Sequence, residues 1–401
     1  MKIAVVLEDT ISSGGGFNQA LNAIIQVERL SKGNFTYLIL TNQAENLPFL
    51  RQLGLSSVTF RTKFMDKVIS ALGENELTRR LLRRFKWISP FEQLLVKNNC
   101  NLVYFVSPTE RVACLQRLNY ILTAWDNCHR DFPEFPEVRA HGEFMRREFI
   151  YQYLPQAYLT LVDSEELANL LHRRYGVDRN RLLVMPFAPN PMLKAEQSGN
   201  HKAILDYYEL NPGFFLYPAQ FWPHKNHIRI VEALALLRSQ GVKPTVVFVG
   251  GDKGNKKIVA EAAIRERLQG QVADLGFVST EHLQALYESC AAVVMPTYFG
   301  PTNIPPLEAW QARQPLIYSR HLAQQCGDAA ILIDPDDARS LANAMLQINN
   351  LDVRSDLVLR GDSLLKEISK SREQAEKKFA DVLMRFSQRL STWNPWASPR
   401  G

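Results

Sequence analysis

Two successive sets of short apolar runs constrain the fold of this 401-residue chain more than any other feature. Five runs rich in β-branched and aromatic residues form the first set, at 3–7, 36–40, 102–106, 120–124 and 158–162. Five more form the second set, at 214–219, 245–250, 291–296, 315–319 and 330–334. Helical patterns separate the runs, and this alternation predicts parallel sheets covered on both faces. The sequence therefore predicts an α/β protein with two Rossmann-like, doubly wound domains.

The boundary between the domains is predicted at residues 189–212, a mostly polar stretch bounded by prolines. This places the first domain at 1–190 and the second at 191–375. A final amphipathic helix, at about 376–401, no longer alternates with strands and is predicted to return to the first domain. In such a layout, the loops at the carboxyl ends of the strands face a cleft, where a ligand is expected.

Composition indicates an ordinary globular protein, with 46% apolar and 22% charged residues. The five cysteines are scattered and form no CxxC pair, which predicts reduced cysteines rather than a disulfide framework or a zinc site. The short apolar N-terminus is interpreted as a first strand, not a signal peptide, and no apolar run is long enough for a membrane span. A cytoplasmic protein is expected; its net charge of +6 permits an anionic surface as partner.

The loop after the first strand contains three consecutive glycines ahead of a helix. Gly15 and Gly16 would let the backbone approach a ligand closely, and the N-terminus of a helix attracts anions. The loop is neither a Walker A sequence nor GxGxxG, and a flexible turn is the alternative.

Lys225 follows the first strand of the second domain and precedes a helix, with Asn226 as the expected N-cap. A lysine beside a helix N-terminus suits the binding of a phosphate or diphosphate. A solvated loop lysine is the alternative.

Asp126 and His129 follow the strand at 120–124 and lie three residues apart. They could orient one another or contact a sugar hydroxyl, and His129 could titrate near neutral pH. No further ligands cluster here, so a metal site is not expected, and a structural loop histidine is the alternative.

The segment FGPTNIPPLEA, residues 299–309, lies between a strand and a helix. Its two adjacent prolines predict a helix that begins around Leu307. The amides of Asn303 and Ile304 then offer an anion-binding turn, and Glu308 is placed to accept hydrogen bonds from a diol such as ribose. Stabilisation of the helix start by Glu308 is the alternative. The four loops together predict a nucleoside-diphosphate site.

Four motifs, in this order, resemble the retaining glycosyltransferases of GT-B architecture, in particular glycosyltransferase family 4 (glycosyl transferases group 1). They are PxQxxPHKN (218–226), LGFVSTEHLQALY (275–287), MPTYFGPTNIPPLEA (295–309) and GDAAILIDPDD (327–337). The glycine loop and the segments 126–137 and 161–165 are similar to the same family, so the resemblance covers nearly the whole chain. It implies a hexosyltransferase that uses a nucleotide-diphosphate sugar, keeps the anomeric configuration and usually needs no metal or other cofactor.

The resemblance also implies residue roles: Lys225 would hold the donor diphosphate, Glu308 the ribose, and the amides of Asn303 and Ile304 the distal phosphate. The catalytic candidates are therefore Lys225, Asp126 and His129. The donor-binding candidates are Gly15, Gly16, Asn226, Thr302, Asn303, Ile304 and Glu308.

Two positions depart from the family pattern. Many members have two glutamates separated by seven residues, and the first would fall at Gly300. Many also have a histidine directly before the aspartate of the first-domain motif, where this chain has Trp125. In the family, the glutamate at the position of Gly300 usually contacts the donor sugar. Because this chain has glycine there, the identity of the sugar is left open.

A basic stretch at 79–87, RRLLRRFKW, places five cationic side chains among apolar ones. It predicts either a helix lying on an acidic membrane, at its inner face, or a solvated helix face. The first interpretation favours a lipid-linked or growing envelope glycan as acceptor.

The leading hypothesis is a glycosyltransferase that moves a sugar from a nucleotide donor to a glycan or lipid-linked acceptor in envelope polysaccharide synthesis. A nucleotide-sugar epimerase or hydrolase on the same frame, and a catalytically silent sugar-binding scaffold, are the alternatives. Nucleic acid is not expected as a partner because the basic residues form no long stripe.

Overall fold

The computed structural model describes residues 1–11, 14–72, 78, 80–81, 84, 87–140, 142–193, 201–300 and 302–392. Contacts between Cα atoms divide the chain into two compact units. The first unit comprises Met1–Asp131, Gly142–Pro186 and Ser371–Gly401, and the second comprises Phe132–His141 and Phe187–Lys370. Each unit contains one parallel β-sheet with helices, so the predicted α/β fold with two doubly wound domains is confirmed.

The sheet of the first unit has seven strands in the order β3-β2-β1-β4-β5-β6-β7. These are β1 Lys2–Leu7, β2 Thr36–Thr41, β3 Ser57–Thr59, β4 Leu102–Phe105, β5 Asn119–Thr123, β6 Leu159–Val162 and β7 Leu182–Val184. The sheet of the second unit has six strands in the order β10-β9-β8-β11-β12-β13. These are β8 Phe215–Pro218, β9 Val246–Val249, β10 Val272–Asp274, β11 Ala292–Met295, β12 Leu316–Ser319 and β13 Ile331–Ile333.

Helices connect the strands of both sheets. The described α-helices are Gly15–Ser31, Asn46–Gln52, Phe64–Leu72, Pro90–Lys97, Cys128–Asp131, Pro136–Arg139, Glu143–Tyr151, Glu165–Tyr175, His201–Tyr207, His227–Ser239, Lys256–Arg265, Thr280–Ser289, Ile304–Gln311, Ala323–Cys326, Ala338–Gln347 and Leu351–Arg389. Short 3-10 helices occur at Glu110–Cys114, Leu154–Gln156, Arg179–Arg181, Pro223–Lys225, Arg320–Leu322 and Leu390–Thr392. None of these helices is long and apolar enough to cross a membrane.

Alternate residues of β1 enter two different cores, one on each face of the first sheet. Ala4 and Val6 pack in one cluster, whereas Ile3, Val5 and Leu7 pack in the other. Successive side chains of a strand point to opposite faces, so a strand covered on both faces must be apolar throughout. This requirement is why the central strands were recognisable as continuous apolar runs.

All ten predicted strands are present, but the structure adds β3, β7 and β10. Each of these three strands is only three residues long and lies at the edge of its sheet. β3, with the sequence SVT, and β10, with VAD, contain polar residues and form no continuous apolar run, whereas β7, with LLV, is apolar and was missed.

Two segments are noteworthy in the division of the chain. Residues 132–140, which the sequence placed in the first domain, group with the second unit. The helix Leu351–Arg389 contributes to both units, and its residues from Ser371 group with the first. There, the rings of Phe379 and Tyr104 lie 5.8 Å apart.

Candidate functional site

The helix in the segment FGPTNIPPLEA begins at Ile304, not around Leu307 as the sequence predicted. That prediction was wrong because Pro305 and Pro306 lie in the first turn, where a backbone N–H has no intrahelical partner and its absence costs little. Asn303 has extended backbone angles and occupies the N-cap position, without a hydrogen bond from its side chain to the helix.

Lys225 and Asn303 meet in the second unit. The Lys225 Nζ lies 3.2 Å from the Asn303 Oδ1. Lys225 closes a short 3-10 helix after β8, and its carbonyl accepts a hydrogen bond of 2.7 Å from the buried Tyr217 hydroxyl. The structure thus brings the predicted lysine to the N-terminus of the helix Ile304–Gln311, where the charge of the lysine and the helix dipole favour an anion.

Asn303 itself is held by two buried residues that the sequence did not single out. Gln325 accepts from the Asn303 amide at 2.8 Å and donates to its carbonyl at 2.6 Å. The Tyr318 hydroxyl accepts from the Asn303 Nδ2 at 2.7 Å and donates to the Gln325 Oε1 at 2.8 Å. The predicted phosphate contact through the Asn303 amide is therefore corrected, since that donor already has a partner. The amide of Ile304, as the first helical residue, remains the candidate.

The local backbone explains why residue 300 is glycine. Gly300 has φ +99°, and a Cβ atom there would lie 2.9 Å from the Asn303 Nδ2 and 3.1 Å from the Thr302 carbonyl oxygen. An L-residue is strained at this φ and would displace Asn303. A glutamate at this position is thus incompatible with the loop that holds Asn303.

Thr302 presents a buried hydroxyl to the same loop. Among the described residues, its Oγ1 has no hydrogen-bond partner. A buried hydroxyl without a partner costs free energy, which a ligand could recover. This observation is consistent with the predicted donor-binding role of Thr302.

Asn226 has the N-cap position that the sequence predicted, but its side chain does not cap the helix. It occupies the N-cap position of His227–Ser239 in the left-handed region, with φ 58°, but its side chain makes no capping hydrogen bond. Instead, its Nδ2 donates to the carbonyl of Pro335 at 2.8 Å, and the side chain is buried. Asn226 therefore fixes the loop behind Lys225 rather than offering an amide to a ligand.

His224, directly before Lys225, joins three parts of the second unit. Its ring stacks on Phe299 at 4.1 Å with an interplanar angle of 7°. Its Nδ1 and amide both contact the Glu137 carboxylate. Burial would raise the pKa of Glu137, but the hydrogen bond with His224 lowers it below its usual value. The segment 132–140 is thereby fixed beside the lysine.

Glu308 is buried, with 4% of its surface exposed. The Tyr287 hydroxyl donates to its Oε2 at 2.5 Å, and the backbone of Asn190 also hydrogen-bonds to it. Burial raises the pKa of Glu308 to about 7 despite these hydrogen bonds. The predicted ribose contact needs an accessible carboxylate, whereas this one contacts Tyr287 and Asn190.

In the first unit, Asp126 belongs to a charged network. Its Oδ2 lies 3.4 Å from the Arg147 Nη1, and its Oδ1 accepts from the Cys128 amide at 3.0 Å. Burial opposes ionisation of Asp126, but Arg147 and the Cys128 amide lower its pKa below the usual value. Arg147 also donates to Glu143, whose pKa falls to about 2 against the effect of burial because Arg146 and Arg147 both bind it. Asp126 is therefore ionised and partly accessible, as a hydroxyl-binding role requires.

His129 is only 2% exposed, which contradicts a direct catalytic role in this conformation. Its Nε2 lies 2.8 Å from Glu148 Oε1 and 3.2 Å from the Tyr175 hydroxyl. Burial lowers the pKa of His129, although Glu148 acts in the opposite direction. The alternative interpretation, a structural histidine, fits this environment. Asp126 and His129 thus have separate partners.

Gly15 and Gly16 are the first residues of the helix Gly15–Ser31. A Cβ atom on Gly16 would lie 3.2 Å from the Trp125 ring and 3.4 Å from the Asp9 Oδ1. Gly16 therefore permits the close approach of Trp125. Asp9 and Trp125 both line a cavity of about 1260 Å³ in the first unit, which Arg146 and Arg147 also line.

The basic stretch 79–87 lies in part outside the described residues. Its described members Arg80, Leu81, Arg84 and Trp87 are exposed. Exposure is compatible with both interpretations of this stretch, so membrane contact stays a prediction.

Sequence reasoning missed several contributors to these sites. Gln325 and Tyr318 gave no signal, because a polar residue in a short helix and a tyrosine in a buried strand are ordinary features. Glu137 lies in the motif that carried the family resemblance, which could have identified it. Arg147 was one of many helical arginines, and only the fold places it beside Asp126.

Comparison with known proteins agrees with this architecture. Residues 213–350 match the family model described as Glycosyl transferases group 1. The O-antigen chain mannosyltransferase B of Escherichia coli is 24% identical over 202 residues, which are 49% of this chain and 53% of that protein. The chain thus spans about half the length of this curated relative.

Solved structures match over nearly the whole chain. The Anabaena protein HepE, in complex with UDP-glucose, has a TM-score of 0.71 at 13% identity, covering 95% of this chain and 100% of that one. WaaG, a glycosyltransferase involved in lipopolysaccharide biosynthesis, has a TM-score of 0.67 at 14% identity, covering 95% and 99%. The chain has the GT-B fold. At these identities the likeness concerns the fold, and it confirms the architecture that the motifs implied.

Proposed function

We propose that the protein is a retaining glycosyltransferase of family 4 type. It transfers a hexose from a nucleotide-diphosphate donor to a glycan or lipid-linked acceptor in cell-envelope polysaccharide synthesis. The observation that carries this proposal is the placement of Lys225 beside Asn303 at a helix N-terminus. The ammonium group and the Ile304 amide together suit the phosphates of a nucleotide donor.

The chemistry expected at this site is electrostatic. When the bond between the sugar and the diphosphate breaks, negative charge develops on the leaving phosphate. Lys225 and the helix N-terminus would stabilise that charge, which lowers the barrier to reaction. In the first unit, taken by itself, the ionised Asp126 would accept a hydrogen bond from a sugar hydroxyl, and His129 would support the protein around Asp126.

The matched relatives guide the choice of substrates. One is an O-antigen mannosyltransferase, which supports mannose as the first donor sugar to test. HepE was solved with UDP-glucose, so UDP donors belong in the same panel. We expect the enzyme to act at the inner face of the membrane; co-sedimentation with anionic but not neutral vesicles tests this expectation.

The decisive experiment measures thermal stabilisation by GDP, UDP, ADP and TDP sugars, followed by product analysis with glycan and lipid-linked acceptors. A donor should raise the midpoint of unfolding because it binds the folded state. With an acceptor, the product should keep the anomeric configuration of the donor, and turnover should persist in EDTA. Failure of every donor to stabilise the protein would contradict the proposal. Consumption of donor without acceptor would instead indicate an epimerase or hydrolase.

A further inference from the structure

The second unit contains a cavity of about 690 Å³ that the proposed donor site does not use. Its volume lies within the range of about 300–1,000 Å³ that is typical of small-molecule sites. Its lining includes Phe132 and Phe135, from the segment that precedes Glu137, and Tyr298, which follows β11. The three rings lie 5.3 to 6.4 Å apart between centroids and are all half-buried.

Charged groups surround these rings. Glu134, Asp334 and Asp336 contribute three carboxylates to the lining, against the guanidinium of Arg320 and the imidazole of His321. All five residues are exposed. A lining with an excess of carboxylates disfavours a phosphate or diphosphate, because like charges repel. The cavity therefore suits an uncharged ligand that has both an apolar surface and many hydroxyl groups.

The cavity directly adjoins the loop that carries Lys225. The Tyr298 amide donates to the carbonyl of His224 at 2.9 Å. The carbonyl of Pro335, another lining residue, accepts from the Asn226 Nδ2 at 2.8 Å. His224 and Asn226, on either side of Lys225, are thus hydrogen-bonded to residues that line the cavity, so a ligand in the cavity would lie close to the proposed diphosphate site.

We propose that this cavity binds one neutral sugar unit of the glycan acceptor. The apolar C–H face of a pyranose would pack on Phe132, Phe135 and Tyr298, since the faces of aromatic rings carry partial negative charge. The sugar hydroxyls would donate to Asp334 and Glu134 at the rim. Assignment of this sugar to the acceptor depends on the proposed transferase function, whereas the sugar site itself does not.

Saturation-transfer NMR and titration calorimetry test the site with neutral oligosaccharides of mannose, glucose, galactose and N-acetylglucosamine, without nucleotide. We expect at least one of them to bind. Phe132→Ala should weaken that binding about tenfold or more, and Asp334→Asn about threefold, from the loss of packing and of one acceptor. Tyr207→Ala, which removes an exposed ring elsewhere in the unit, is the matched control and should leave binding unchanged. Nucleoside-diphosphate binding should be unaltered in all three variants.

Absence of binding by every oligosaccharide would overturn the sugar site, as would undiminished binding in both cavity variants. Loss of nucleotide binding in Phe132→Ala, with the fold intact by circular dichroism, would assign the cavity to the nucleotide instead and also overturn it. Oligosaccharide binding that depends on Phe132, in a protein that transfers sugar from no donor, would support the sugar site while contradicting the transferase function.

Discussion

The Lys225 Nζ and the Asn303 Oδ1 lie 3.2 Å apart, although 78 residues separate them in the chain. The lysine follows β8 and the asparagine follows β11, and these two strands are neighbours in the sheet. Parallel neighbours end at the same edge, so residues distant in sequence meet there. The contact gives the long, flexible lysine side chain a defined position beside the helix N-terminus.

Replacing Asn303 with alanine should therefore impair catalysis more than stability. Asn303→Ala removes a hydrogen-bond acceptor of Lys225 and the hydrogen bond to Tyr318. We expect kcat/KM to fall about tenfold or more, equivalent to about 1.4 kcal/mol. Steady-state kinetics with the best donor test this, with Asn349→Ala at an exposed asparagine as the matched control. Equal kcat/KM in the two variants would show that the Asn303 contact is not used.

Gln325 should act as a positioning residue for the same loop. Gln325→Leu removes the partner of the Asn303 amide and one hydrogen bond to the Asn303 carbonyl, at a cost of about 1–3 kcal/mol. Tyr318→Phe removes one hydroxyl and should have a smaller effect. We expect KM for the donor to rise in both variants, and to rise more in Gln325→Leu than in Tyr318→Phe. Gln347→Leu, at an exposed glutamine, is the control and should leave KM unchanged. A loss of stability in Gln325→Leu without any change in KM would contradict this role.

Glu308 should make stability depend on pH. Burial raises its pKa from the ordinary 4.5 to about 7, so between these values the folded protein holds a proton that the unfolded chain has released. Stability therefore falls as the pH rises through this range, by at most about 3 kcal/mol. Glu308→Gln removes the titration while keeping an acceptor for Tyr287. The difference in the midpoint of thermal unfolding, variant minus wild type, should increase by several degrees as the pH is raised from 5 to 8. Parallel curves for the two proteins would contradict a buried, protonated Glu308.

The sequence was most informative where burial imposes a pattern. Strands covered on both faces must be apolar throughout, so the central strands could be located, whereas the short edge strands β3, β7 and β10 were missed. Lys225 and the segment at 299–309 could be proposed as one site because strand ends meet at one edge of a sheet. The hydrogen-bond partners of these residues could not be predicted, because contacts between loops produce no periodic pattern in the sequence.

The two departures from the family pattern illustrate that limit. Sequence comparison shows only that Gly300 and Trp125 differ from the common residues. In the structure, Gly300 has a backbone conformation that excludes a glutamate, and Trp125 packs closely on Gly16. Likewise, the sequence could not distinguish a catalytic from a buried His129, because both would follow a strand in the same loop.

His129 provides a test of that distinction. His129→Gln should retain a hydrogen bond to Glu148 but fill the buried space poorly between Phe144 and Tyr151. We expect a loss of stability of about 1–3 kcal/mol with kcat reduced less than twofold below the unfolding temperature. Unfolding measurements and kinetics on the same preparation separate the two effects. Unchanged stability with a large loss of kcat would restore the catalytic role.

Binding of a nucleoside diphosphate to Lys225→Met tests the central claim most directly, because it requires neither the acceptor nor the sugar. Calorimetry should measure two ligands on each protein: the nucleoside diphosphate that wild type binds best, and the nucleoside with the same base. The control variant is Lys243→Met, at an exposed lysine. We predict that Lys225→Met weakens diphosphate binding about tenfold or more and leaves nucleoside binding unchanged, because only the phosphates contact the ammonium group. Undiminished diphosphate affinity in Lys225→Met, or equal losses for diphosphate and nucleoside, would contradict the account.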